Sequence, residues 1–200
     1  MVKKKQEKIH DPEKMFSIKK TIKKIWNFLW KEESLASYIA FIIVTFVFLR
    51  FLFFPVFLFL TGYSDVAAVV SSSMERNELT EHTFYRWLEF NNFDMNEVEE
   101  WPFLEGLYIG DVIFVRNVEP EEIEVGDVIL FYSGNKRIIH RVVFIEEENG
   151  NYFYTTKGDA NSNISPSEEN IPYELIKGKL FQRVPYLGYP RVVISWILPF

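Results

Sequence analysis

Three consecutive serines and a methionine, SSSM at 71–74, a histidine at 140 and an aspartate at 159 are the residues of this 200-residue chain whose types combine into hydrolytic chemistry. A serine hydroxyl is a poor nucleophile at neutral pH: it needs a base to take its proton, and that base gains from a carboxylate that fixes its tautomer. Ser73, His140 and Asp159 supply those parts. Histidine occurs at 10, 82 and 140. His140 lies in RIIHRVVF, where strand alternation puts it on one face with Ile138 and Val142, while Ile139, Arg141 and Val143 point the other way. An imidazole on an apolar strand face is ordinarily a satisfied core residue, and any domain of this size contains a serine, a histidine and an aspartate. The combination alone is weak.

The elements that must position these residues begin with an anchor. Leu35 to Leu60 reads LASYIAFIIVTFVFLRFLFFPVFLFL, longer than the roughly 20 residues that cross a bilayer as a helix. Arg50 and Pro55 interrupt it. A mid-run arginine costs about 2.5–3.5 kcal/mol on insertion scales, which two dozen apolar neighbours outweigh. Charge is uneven around this run: residues 1–33 hold ten Lys against five acids, whereas 34–200 hold twelve Lys or Arg against twenty-three, giving +5 and −11 and summing to −6. The positive-inside rule then places the N-terminus, with His10, in the cytoplasm and the rest outside, leaving His82 and His140 for an external site. A cleaved leader, with Ala67 and Ala68 near its cleavage site, is the competing account, although the run exceeds the usual 7–15 residue apolar region and starts late.

Three segments follow: 1–33, a cytoplasmic basic amphipathic segment; 34–61, a transmembrane helix; and 62–200, an extracytoplasmic β domain with an insert at 75–105. In the first, Met15, Ile18, Ile22, Ile25, Trp26 and Leu29 recur every three or four residues between lysines, the pattern of a helix on an anionic membrane surface or of a solvated charge run. In the third, 109–116, 127–132, 137–147 and 152–156 are rich in Val, Ile, Phe and Tyr, and Ser133-Gly134-Asn135 and Asn149-Gly150-Asn151 punctuate them as hairpin turns. The expected fold is mainly β. In the insert, Thr80 and Asp94 read as caps of short helices, and its Phe84, Trp87, Phe90, Phe93, Trp101 and Phe103 either pack on one another or face a membrane or substrate groove. The absence of cysteine excludes disulfides, thiolate metal sites and a cysteine nucleophile within this chain. The terminal run VVISWILPF is too short to span a bilayer.

SSSM behind an N-terminal anchor, GDVILF at 126–131, RIIHRVV at 137–143, TTKGDAN at 155–161 and GKLFQRVPYLGYP at 178–190 together resemble type I signal peptidases, in order and over residues 36–190. Histidine where bacterial members carry lysine resembles the archaeal and endoplasmic-reticulum branch. The resemblance implies a signal-peptidase-like β domain and a membrane-bound serine endopeptidase that removes signal peptides from secreted preproteins through an acyl-enzyme. It makes Ser73 the nucleophile, His140 the general base and Asp159 one of two nearby aspartates, with the Ser73 amide and the Ser71 hydroxyl binding the oxyanion. It implies as partners signal-peptide-bearing preproteins, the lipid bilayer of the cell membrane and the secretion translocon, with no cofactor, metal or nucleic acid. The family binds its peptide as an added strand and takes small side chains before the scissile bond; Val66–Val70 and strand residues near His140 are candidate walls. Three departures stand out. Ser165 occupies the second aspartate position, so the triad acid is Asp159 alone or Glu168 or Glu169; Arg76 replaces a proline; and the 75–105 insert is long. A non-catalytic anchored binding module that lost a complete triad, and a self-processing or pilin-type peptidase, are the alternatives.

Overall fold

The computed structural model describes residues 12–190 and 192–193, with side chains from residue 16 onward. His10, the lysines at 3–5 and most of the terminal apolar run lie outside the described residues. The chain divides into two compact units, one ending at Phe57 and one beginning at Leu58.

The first unit starts with α1, Pro12–Lys31, whose Phe16, Ile18, Ile22, Ile25 and Trp26 are exposed. Ser34 caps the next helix by accepting from the Ser37 amide at 3.1 Å. That helix, α2, runs over Leu35–Thr61, and it is long and apolar enough to cross a membrane. Residues Leu49–Phe53 form a widened π turn just before Pro55, whose missing N–H removes one rung of the ordinary ladder.

The second unit is built on a seven-stranded antiparallel sheet, in the order β1-β2-β7-β3-β4-β5-β6. Its strands are β1 (Asp65–Ala68), β2 (Val112–Arg116), β3 (Val128–Ser133), β4 (Lys136–Glu148), β5 (Asn151–Lys157), β6 (Ile171–Pro172) and β7 (Ile176–Val184). β3 is fourth of the seven and buried on both faces, which explains its unbroken VILF run. Val128 and Leu130 join one core with Met74, Leu107 and Ile113, and Ile129 and Phe131 join a second with Val142 and Tyr154. The β4–β5 hairpin turns on Asn149 and Gly150, at φ 54° and 79°, the positive pair a tight primed turn requires. The sheet curls: Arg137 at the start of β4 pairs with Asp65 at the start of β1 at 3.0 Å, although three strands separate them in sheet order.

Between β1 and β2 lie α3, Glu78–Phe90, and α4, Met95–Val98, and Asp94 caps the latter as its sequence predicts. Thr80 is not the cap of α3. Asn77 is: its side chain accepts from the Leu79 and Thr80 amides, and Thr80 sits one turn in and completes the capping box. Phe84, Leu88 and Val98 form the insert's own core with Trp87, Phe93 and Trp101 around it, while Leu79 and Phe90 stay exposed.

Candidate functional site

Ser73 lies in the turn a few residues after β1, and its carbonyl accepts from the Ala160 amide at 2.9 Å, which ties the serine turn to the loop after β5. His140 sits mid-β4, paired with Ile129 of β3 and 5% exposed. The two meet: His140 Nε2 lies 3.0 Å from Ser73 Oγ, within proton-transfer reach. Ser71 Oγ is 3.2 Å from Ser73 Oγ. Gly158 makes the approach of the third segment possible, since a Cβ there would come within 2.8 Å of His140 Nε2 and 2.7 Å of the Ser73 carbonyl.

Asp159, the acid the resemblance favours, forms its ion pairs with two guanidinium groups and not with the imidazole. Its Oδ1 accepts from Arg141 Nε at 2.9 Å and its Oδ2 from the same guanidinium at 2.8 Å and from Arg76 at 3.2 Å. Arg141 is fully buried and spends its remaining donors on the carbonyls of Gly126, Pro102 and Phe103. Strand alternation turns Arg141 away from His140, and a buried guanidinium requires a carboxylate on its own side of the sheet. Asp159 is that carboxylate. Arg76 supplies the second cation and lays its guanidinium 3.8 Å from the Phe84 ring centroid of α3.

The acid at the imidazole is Glu168, whose Oε1 is 3.0 Å from His140 Nδ1; the contact has ion-pair length, with the N–H alignment short of a hydrogen bond. Glu168 is 5% exposed and ends the short turn Pro166–Glu168, where its amide bonds the Ser165 carbonyl and its Oε2 accepts from the Ser165 amide at 3.4 Å. Ser165 therefore carries no chemistry itself but starts the turn that delivers Glu168. The sequence contained that signal, since S-x-x-E is a capping-box pattern.

Lys157 is a further buried cation, 2% exposed, with Nζ donating to the Gly158 carbonyl at 3.0 Å and lying 5.1 Å from the Trp87 ring. Burial pulls its ammonium down to about 8, against the opposing pull of Asp159 and Glu168.

One side of Ser73 opens on an apolar groove of about 590 Å³. Its walls are Val66–Val70 on one side and Ile138 and Ile139 on the other, with Leu107 and Leu130 among the lining. Among the described residues no group of three or more His, Asp or Glu is placed to hold a metal ion. Hydroxyl, imidazole and carboxylate thus follow one another at 3.0 Å each. No family model matches the sequence.

Proposed function

We propose that this chain is a membrane-anchored serine endopeptidase of the type I signal peptidase kind, with Ser73 as nucleophile, His140 as general base and Glu168 as the acid behind it. The carrying observation is the continuous contact from Ser73 Oγ to His140 Nε2 and from Nδ1 to Glu168, at 3.0 Å each. An imidazole that accepts the serine proton at Nε2 holds its own proton on Nδ1, the nitrogen facing Glu168, and the carboxylate stabilises the imidazolium formed as Ser73 attacks. The Ser73 amide and the Ser71 hydroxyl take the oxyanion; one such donor is commonly worth about 100–1,000 fold in turnover. The imidazolium gives that proton to the departing amine as the peptide C–N bond breaks; His140 then takes a proton from the water that attacks the acyl-enzyme and returns it to Ser73 Oγ as the acyl bond breaks.

The apolar groove suits the residues before the scissile bond. β1 is an edge strand, so a peptide laid along it gains main-chain hydrogen bonds while its small side chains point at the valine and isoleucine walls. α2 as a single membrane span, with the lysine-rich side cytoplasmic, would tether this domain close to a bilayer in which a signal peptide's apolar part is itself embedded. Arg76 favoured the rival, a binding module without a working triad, while it stood only as a departure from the family; its pairing with Asp159 gives it a structural purpose instead.

The test is cleavage of a preprotein by purified protein in detergent beside its Ser73→Ala and His140→Ala variants. Processing by the parent and its loss in both variants is expected. Equal cleavage by all three, or none by the parent, would support the binding module.

A further inference from the structure

The groove before the scissile bond leaves the other side of Ser73 unexplained. There a polar hollow of about 440 Å³ is bounded by Ser72, Ser73, Glu75, Thr80 and Asn161. A second hollow of about 430 Å³ lies between α3, through Leu79, Thr83, Arg86 and Phe90, and Ser162 and Asn163. Thr80 and Leu79 are consecutive, as are Asn161 and Ser162, so each wall of the first hollow passes directly into a wall of the second. Ser71 and Ser73 also line the apolar groove, which puts the nucleophile at the junction of the two sides.

We infer that α3 and the 160–163 loop form a trough that holds the polypeptide segment following the scissile bond; this rests on the endopeptidase reading. A preprotein cut at Ser73 must run on past it, and the trough meets the apolar groove at Ser71 and Ser73. Its wall is rigid for a stated reason: the opposite face of α3 is clamped by buried Phe84 and Leu88, with the Arg76 guanidinium on the Phe84 ring. Its charges are ordered along its length. Glu75 stands at the serine end, where the released ammonium appears, and Arg86 stands at the far end, 3.4 Å from His82 Nε2. The trough thus suits a segment with a neutral or basic start and acidic residues several positions on. The insert, on this view, is a substrate-binding wall built on its own aromatic core.

The test uses the full chain in detergent and three synthetic substrates sharing one leader: one ending at the first residue after the bond, and two continuing for six residues with either aspartates or lysines in the distal positions. Arg86→Glu, on an exposed helix face, is expected to lower kcat/KM about fivefold on the aspartate substrate, raise it on the lysine substrate and leave the short one unchanged. Thr83→Trp, which fills the trough, is expected to weaken both long substrates alone. Equal effects on all three, or none, overturn the trough. Fluorescence anisotropy with the two six-residue product peptides separates this from the hydrolase reading. A preference for the aspartate peptide that Arg86→Glu reverses supports the trough even if no substrate is cleaved, an outcome that would condemn the hydrolase alone. No preference in either protein overturns the trough even if cleavage is efficient.

Discussion

Asp159 and Glu168 are buried carboxylates on one loop, and they meet opposite partners. Asp159 is surrounded by guanidinium groups, with Arg141 bound through two nitrogens and Arg76 behind, so its charge is spent on holding β4, the serine turn and the insert together. Glu168 has an imidazole at 3.0 Å and carries its charge to the site. The difference teaches that burial and nearness in the chain do not decide which carboxylate meets the imidazole. The faces of β4 decide which carboxylate serves: His140 and Arg141 are adjacent in sequence and point to opposite sides, so each acid is claimed by the residue on its own side.

The comparison can be broken first at Glu168. Glu168→Gln keeps the size and removes the charge, and turnover is expected to fall by about 10³–10⁴ fold with little change in thermal unfolding, because the imidazolium loses its counter-charge. Asp159→Asn is expected to do the reverse. It leaves Arg141 buried without a full partner and lowers stability by about 3–5 kcal/mol in a denaturant titration. Activity per folded molecule then changes far less than in Glu168→Gln. A folded, stable Asp159→Asn protein with activity lost as completely as in Glu168→Gln would invert the assignment.

A smaller effect sharpens the same contrast through Lys157, which faces both acids. Its folded-state pKa of about 8 lies below the roughly 10.4 of an unfolded lysine, so between those values the unfolded chain binds more protons. The Lys157 contribution to stability is therefore least at and below about pH 7 and grows as pH rises from about 8 to about 10. Parent minus Lys157→Met, measured as unfolding free energy at several pH values, is expected to shift in the parent's favour by up to about 3 kcal/mol over that window. A difference independent of pH contradicts it.

Much of this framework could be read from composition. The apolar helix was legible because 26 consecutive residues offer a bilayer little that is polar, and β2 to β5 because β-branched and aromatic residues crowd between Gly-Asn turns. β1, β6 and β7 were not. β1 and β6 span four and two residues and exist only through pairing, and β7 carries Gly178 and alternating charges that hide its strand character. Ser73 and His140 were legible as a pair, and the structure brings them together. The acid was not settled, since a motif match favours Asp159 while side-chain direction favours Glu168. Arg141 in the middle of an apolar strand was the available clue, because a buried arginine demands a carboxylate of its own.

The most direct measurement of the central claim is labelling by a fluorophosphonate, followed by mass spectrometry of the modified peptide. The adduct is expected on Ser73 in the parent, to be absent in Ser73→Ala, to form far more slowly in Glu168→Gln, and to form at near-parental rate in folded Asp159→Asn. Modification at another residue, or equal rates in the parent and Glu168→Gln, would contradict a serine activated through His140 by Glu168.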